Sequence, residues 1–186
     1  MLNSFFDKFI FTSTLKYTHN NFYVTNIPFV ISPIEALTGL AEITDPETQK
    51  KIYTAVKKST QEKLMQQFSF NFGLEKSKEI ELVKEFFTAS GWGNIQTIDI
   101  EMQSKRAIII IENSPFAAAL KGKTQTADVF LRGIIAGMFS KIFEEDIDCA
   151  EVECAAHNSE RCKFIIKPKT EFDFANPLVQ QQISHE

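Results

Sequence analysis

The sequence is poor in cysteine, has no excess of basic residues and contains no long apolar run. Three cysteines among 186 residues are too few, and odd in number, for a disulfide scaffold, so a reducing compartment, the cytoplasm, is expected. A formal net charge of −4 provides no electrostatic reason to expect nucleic acid or an anionic membrane as the main partner. No apolar segment approaches the roughly 20 residues that span a bilayer, and the N-terminus has neither the basic region nor the cleavage site of a signal peptide.

Phenylalanine is abundant instead, with 18 residues against one tryptophan and three tyrosines. Apolar residues make up 44% of the chain and charged residues 24%, an ordinary composition for a globular domain with its own core. Two explanations of the phenylalanines are open at this point: bulk aromatic packing, or a cavity lined by rings.

The first half of the chain has the periodicity of helices preceded by a hairpin. LKYT and NFYV, separated by a polar turn at residues 19–21, predict two paired strands within residues 8–31. Helices are predicted over residues 33–43, 45–70 and 76–90, and the first two begin with a proline in the first turn.

The second half alternates between strand and helix patterns. Strands are predicted at IQTIDIEMQ and AIIIIEN, then a short helix from residue 115, a long helix over 124–143, and a final hairpin of IDCAEVECAA and RCKFIIKP. Short turns between neighbouring strands imply an antiparallel sheet, so the fold class is α+β. Gly133 and Gly137 together cost the long helix about 2 kcal/mol, which indicates that a neighbouring backbone or a ligand approaches closely. Arg132 and Lys141 on that helix are interpreted as solvated charges or salt-bridge partners.

All three cysteines lie in the final hairpin, in the pattern C-x4-C-x2-H-x4-C. The donors available there are Cys149, Glu151, Glu153, Cys154, His157 and Cys162. Thiolate, imidazole and carboxylate groups are zinc ligands, although this spacing is not a standard zinc signature. Buried cysteines without a metal and a reactive thiol are the alternatives. Strand alternation places Cys154 on the face opposite to Cys149 and Glu151, unless the strand ends or bulges first.

Residues 91–167 resemble the 4-vinyl reductase domain, a family of small-molecule-binding domains related in fold to Bet3-type vesicle-tethering subunits. The resemblance runs through GWGNIQ, AIIIIENSPFA, DVFLRGIIAG and EVECAAHNSERCKFII. Its most specific element is E-x2-C-x7-C, formed by Glu151, Cys154 and Cys162, after a helix with the G-x3-G pair.

The resemblance implies a zinc site. In relatives that are sensor domains of aromatic-responsive activators, this pattern holds zinc, and the first ligand is a cysteine five residues before the first glycine of the helix pair. That position is Asp128 in this chain. The implied ligands are therefore Asp128, Glu151, Cys154 and Cys162, with His157 or Cys149 as replacements for the fourth.

The resemblance also implies a four-stranded antiparallel sheet with helices on one face, a homodimer, and an apolar pocket between sheet and helices. Candidate pocket residues are Ile109, Ile111, Phe116, Phe130 and Phe139. The chain is then divided into an N-terminal hairpin and helices (1–75), the 4-vinyl-reductase-like domain (76–168) and a weakly ordered tail (169–186).

Three functions follow from these observations. The favoured one is a cytoplasmic module that binds or senses an apolar or aromatic ligand, has a structural zinc and acts through an unidentified protein partner. The alternatives are a vinyl-group reductase of (bacterio)chlorophyll-type tetrapyrrole metabolism and a dimeric assembly protein. Enzymatic activity is not favoured, because the chain lacks a glycine-rich dinucleotide fingerprint and four protein ligands would close a zinc site to water.

Overall fold

The computed structural model of the chain describes residues 15–24, 27–42, 45–67, 76–122 and 128–183. The N-terminal part begins with a small antiparallel sheet of strands β1, β2 and β3 (Leu15–Thr18, Asn21–Val24 and Ile27–Phe29). His19 and Asn20 join β1 to β2 with positive φ angles of 49° and 62°, as a tight hairpin turn requires. The predicted hairpin is confirmed, and β3 adds a strand that the sequence pattern did not indicate.

Three helices precede the main sheet: α1 (Ile34–Ala41), α2 (Pro46–Ser59) and α3 (Lys76–Ala89). The carboxylate of Asp45 starts α2 by accepting a hydrogen bond from the backbone N–H of Thr48 at 2.9 Å, which satisfies one of the free N–H groups of the first turn. A π-helical turn, Thr60–Leu64, extends α2. The three predicted helices are confirmed, whereas residues 1–14 and 68–75 of the predicted N-terminal unit lie outside the described residues.

The main sheet contains four strands, β4 (Asn94–Glu101), β5 (Arg106–Glu112), β6 (Ile147–Glu153) and β7 (Cys162–Pro168). Their order is β4-β5-β7-β6, and all neighbouring strands are antiparallel. Between β5 and β6 the chain forms α4 (Pro115–Ala119) and the long helix α5 (Val129–Phe143).

Helices α3 and α5 cover one face of this sheet, because their buried side chains share a core with the inward residues of β5 and β7. The predicted α+β fold is therefore confirmed, while the predicted start of the long helix at residues 124–127 lies outside the described residues. Among the described helices, none combines the length and the apolar character needed to cross a membrane.

The two glycines of α5 lie against α2. A β-carbon at Gly133 would lie 2.9 Å from the Val56 side chain, and one at Gly137 would collide with the carbonyl oxygen of Lys57. Real β-carbons are essentially never found this close to other atoms, so only glycine allows the two helices to pack at this distance. The close approach predicted from the glycine pair is an approach of helix backbone.

Phenylalanines form much of the packing on the other side of the fold. A row of aromatic rings runs from β3 through α3 to α4, with successive centroids 6.1, 5.4, 5.4 and 5.0 Å apart. Its members are Phe29, Phe86, Phe87, Trp92 and Phe116. Edge-to-face pairs at these distances add to the stability that burial itself provides, so this row represents bulk packing.

The segment after β7 differs from the expected weakly ordered tail. Residues 169–171 form a 3₁₀ turn, and Pro177–Gln182 form a short helix, α6. Phe172, Val179 and Ile183 form a small second core with Ala150 and Ile165, on the face of the sheet opposite to α5. Each of these three side chains is at most 7% exposed, so the described part of this segment is folded onto the sheet.

Candidate metal centre and apolar cavity

A β-bulge in the final hairpin brings the predicted ligands together. Glu151 pairs with Phe164, whereas Glu153 pairs with Lys163, so Val152 is the extra residue. The strand ends at Glu153, and the backbone N–H of His157 closes a turn onto the carbonyl of Cys154 at 2.9 Å. A bulge re-aims the side chains that follow it, which explains why strict strand alternation would have separated Cys154 from Glu151.

Three of the four proposed ligands converge at one point. Ligand atoms of Glu151, Cys154 and Cys162 all lie within 4.8 Å of one another, and the three residues are buried. Glu153 turns outward instead, where it forms ion pairs with Arg161 at 3.4 Å and Lys163 at 3.7 Å. The hairpin therefore has one inward carboxylate beside two thiols.

Asp128 approaches this group from the start of α5. It stands at the N-cap position but makes no side-chain capping bond. Its Oδ2 atom is 3.7 Å from Sγ of Cys162, and the residue is 1% exposed. The carboxylate that could have capped the helix is directed toward the cysteines instead.

The carboxylates of this cluster have oxygens without partners. Oδ1 of Asp128 and both carboxylate oxygens of Glu151 are buried and make no hydrogen bond within the described residues. A buried polar atom without a partner costs about 1–3 kcal/mol, and more if it is charged. A divalent cation would satisfy all three oxygens, so the residues present fit a metal ion.

Burial strongly disfavours ionisation of the cluster by itself. It raises the pKa of Asp128, with Glu151 as the second cause, and raises the pKa of Glu151, with Cys154 as the second cause. The pKa of Cys162 is also raised, first by its hydrogen bond with Cys154 and then by burial. A cation among these groups would reverse this preference, because it favours their deprotonated forms.

The two reserve ligands are placed differently. Cys149 is fully buried, and its backbone N–H donates to the hydroxyl of Tyr53 at 3.1 Å. Nε2 of His157 is buried and has no hydrogen-bond partner among the described residues. Neither residue belongs to the described group whose ligand atoms lie within 4.8 Å of one another.

Arg132 is buried beside this cluster, so its interpretation as a solvated charge was wrong. It is 3% exposed, its Nε donates to the carbonyl of Cys149 at 3.1 Å, and its Nη2 donates to the carbonyl of Gln182. Its guanidinium also lies 4.8 Å from the ring centroid of Tyr53. A sequence signal did exist: Arg132 follows Asp128 by four residues, the spacing that places two helical residues on the same side.

Gln182 holds the backbone at Glu151. Its side-chain amide accepts from the Glu151 N–H at 2.7 Å and donates to the Glu151 carbonyl at 2.8 Å. Because β6 is an edge strand, this amide replaces the hydrogen bonds that a neighbouring strand would make. No sequence pattern distinguished Gln182 from the adjacent glutamines.

A narrow apolar cavity lies on the other side of α5, between that helix, α3 and the sheet. Its volume is about 20 Å³, room for roughly one water molecule. The described lining residues are Ile80, Val83, Lys84, Phe87, Ile95, Thr97, Ile109, Ile111, Leu131, Ile134, Ile135 and Met138.

Two of the five predicted pocket residues, Ile109 and Ile111, line this cavity. The other three lie elsewhere in the core. Phe116 packs on Trp92 with centroids 5.0 Å apart, Phe139 packs on Phe143 at 5.2 Å, and Phe130 is partly buried at the edge of the core. The helical stripe was thus recognised, but the rotation of the helix toward the cavity was not.

This fold is shared with solved sensory and trafficking proteins. The phenol-responsive sensory domain of the transcription activator PoxR, with phenol, aligns with a TM-score of 0.70 and 13% identity over 91% of each chain. A trafficking protein particle complex subunit 3 from Naegleria fowleri, covalently bound to palmitic acid, aligns with a TM-score of 0.52 and 14% identity, over 71% of this chain and 87% of that one. The chain thus has the Bet3-like class of α+β fold.

Residues 107–168, from β5 to the end of β7, match the family model of the 4-vinyl reductase domain, and this part of the chain belongs to that family. The uncharacterized protein MJ1460 of Methanocaldococcus jannaschii is 27% identical over 130 residues, which cover 66% of this chain and 76% of that protein. A vinyl-4-reductase family protein from Methanocaldococcus jannaschii aligns with a TM-score of 0.50 and 20% identity, over 75% of this chain and 83% of that one. The predicted family resemblance is confirmed.

Proposed function

We propose that this protein is a small-molecule-binding module that takes an apolar ligand between α3, α5 and the sheet, and that a zinc ion fixes its final hairpin. The observation that carries the proposal is the cavity between these elements, with two inward isoleucines of β5 on its floor. Support comes from two proteins of the same fold, one described with phenol and one with palmitic acid.

The cavity as described accommodates no more than a water-sized group, so a ligand must displace α3 or the side chains of α5. Apolar side chains line most of its wall, and an apolar cavity of this kind favours apolar ligands over water. None of the three cysteines is among its described lining residues. The bound state we propose is therefore noncovalent, unlike that of the Naegleria protein.

Zinc would be held by Asp128, Glu151, Cys154 and Cys162. Two thiolates and two carboxylates complete a four-ligand set, which is typical of a structural site closed to substrate. Bound there, zinc would supply a cross-link between the start of α5 and the final hairpin. Support comes from the partnerless oxygens of Asp128 and Glu151.

Metal analysis of the purified protein tests the zinc site. We expect about one zinc per chain, as a single four-ligand site requires, and loss of that zinc in Cys162→Ser. Cys149→Ala is the matched control, because Cys149 is equally buried but outside the ligand group. Zinc-free protein, or equal loss of zinc in both variants, would contradict this ligand set.

A pair of neighbouring substitutions tests the ligand site. Ile109→Phe adds volume on the cavity side of β5, whereas Ile108→Phe adds the same volume on the opposite face of the sheet. We expect only Ile109→Phe to abolish saturable binding of a hydrophobic fluorescent probe. Binding that is unaffected by Ile109→Phe would show that the cavity is not the ligand site.

Homodimerisation and assembly are a second candidate function. Val30 and Ile31, next to β3, are 82% and 70% exposed, and paired apolar residues on a surface favour a protein contact. Light scattering should show a dimer that Val30→Asp converts to a monomer. A monomeric protein at all concentrations would remove this candidate.

Vinyl-group reduction remains an alternative prediction. Such a reaction needs a hydride or electron donor. Turnover of a vinyl tetrapyrrole with reduced nicotinamide or a reduced iron–sulfur protein would establish it, and absence of turnover with both donors would leave the binding module.

A further inference from the structure

The apolar cavity has a single charged group in its described lining. Ten of the twelve described lining residues are apolar, and the remaining two are Lys84 on α3 and Thr97 on β4. A purely apolar ligand would need neither group. Their presence on one wall indicates that the ligand has a polar end as well as an apolar body.

Lys84 reaches this cavity from its rim. Its side chain is 20% exposed, so most of its length contributes to the wall while the ammonium reaches the edge. The ammonium is paired with the carboxylate of Glu81, one helical turn earlier, and that carboxylate side chain is 59% exposed. Exposed pairs of this kind contribute little to stability, so another carboxylate can take the place of Glu81.

We propose that the ligand is an amphipathic monocarboxylic acid, whose apolar body enters the cavity and whose carboxylate binds Lys84. This inference rests on the proposed function, since it names the ligand class of the same cavity. One lysine matches one negative charge, whereas a phosphate group would leave a second charge unpaired within the described lining. The Thr97 hydroxyl provides an additional donor on the facing strand.

Two matched pairs of probes test the charge of the ligand: decanoic acid with decanol, and naphthoic acid with naphthalenemethanol. Each pair keeps the apolar body and changes the polar end. We expect the acid of at least one pair to bind about tenfold more tightly than its alcohol, the effect of one charge-assisted hydrogen bond. Calorimetry at low ionic strength measures both constants.

Substitutions then assign the effect to Lys84. In Lys84→Met the preference for the acid should disappear while binding of the alcohol is retained, and Lys84→Arg should restore the preference. Glu81→Gln should strengthen binding of the acid, because it removes the competing carboxylate. Because Lys84 and Glu81 are at the rim, unchanged circular dichroism and melting temperature confirm that these variants fold.

The outcomes separate this inference from the proposed function. If acid and alcohol bind equally, or if Lys84→Met keeps the preference for the acid, the apolar site stands and the carboxylate assignment is overturned. If no probe binds at all, the proposed function fails and the inference fails with it. An acid preference that depends on Lys84 supports both.

Discussion

The long helix α5 has two sides that are packed in opposite ways. Toward α2, Gly133 and Gly137 bring two helix backbones together so closely that a single β-carbon has no room. Toward α3, Leu131, Ile134 and Met138 border a cavity of about 20 Å³. The closed side has no space for a ligand, whereas the hollow side needs only a modest displacement. The same helix thus provides a fixed support and an adaptable wall.

The polar network also belongs to the closed side. Asp128 begins α5 at the cysteine cluster, and Arg132 joins the helix to β6 and α6 through the carbonyls of Cys149 and Gln182. Buried polar groups of this kind are stabilising only when every partner is in place. A ligand on the hollow side can therefore move α3 while these contacts hold α5.

Removing the metal should have the largest effect on this comparison. Chelation is expected to lower the free energy of unfolding by more than about 4 kcal/mol, the range associated with loss of a structural metal. Metal-free protein should also become less stable as the pH rises, since the raised pKa values of Asp128 and Glu151 mean that the native state retains protons that the unfolded state has lost. Stability that falls in this way begins to decline above the ordinary carboxyl pKa, near 4.

Urea unfolding of treated and untreated protein across pH measures both effects. With metal bound the sign should reverse, because protons compete with the metal for its ligands. Identical pH profiles for the two forms would contradict a metal centre on the closed side.

Gly137→Ala should have the next largest effect. The added methyl group collides with the carbonyl oxygen of Lys57, and overpacking of this kind costs about 1–3 kcal/mol or more. Gly39→Ala is the matched control, because it lies within α1 and a β-carbon there meets nothing within 4 Å; alanine should stabilise that helix by about 1 kcal/mol. Urea unfolding should show opposite signs for the two variants, and equal signs would contradict the close approach.

Gln182→Leu should cost about 2 kcal/mol, because it leaves the N–H and carbonyl of Glu151 without partners. Gln181→Leu, at the exposed neighbouring position, should be nearly neutral. Hydrogen exchange of the Glu151 amide provides a local measurement, since its protection should fall only in the first variant. Retained protection would show that the amide of Gln182 does not hold the edge strand.

Adding one methylene on each side of α5 gives the smallest effects and the most direct comparison. Val83→Ile extends into the cavity and should stabilise the protein by up to about 0.8 kcal/mol, the value of one buried methylene. Val56→Ile adds the same group beside Gly133 and should destabilise it by about 1 kcal/mol. If thermal unfolding shows equal shifts, the two sides do not differ in packing.

Local signals were sufficient to predict most elements of the fold. Asp45-Pro46 and Ser114-Pro115 begin helices where expected, with both side-chain caps formed, because capping depends only on adjacent residues. The glycine pair of α5 predicted a close contact for a similar reason: its cost in a helix requires compensation from a neighbour. The candidate ligands came from the family pattern, and the structure places three of them within 4.8 Å of one another.

Other features depend on contacts between distant parts of the chain. Arg132 is buried because the carbonyls of Cys149 and Gln182, 17 and 50 residues away, receive its hydrogen bonds. The segment after residue 168 is ordered because Ala150 and Ile165 provide an apolar surface for it. Neither partner could be inferred from the periodicity of a single segment.

The amino-acid sequence alone determined the order of helices and strands, the antiparallel character of the sheet and the family, because each follows from local periodicity, capping and a short motif. Tertiary structure alone decided which side of α5 is closed and which is hollow, and where the buried charges find partners. The physical reason is that packing and desolvation depend on atoms that are far apart in the chain and become neighbours only when it folds.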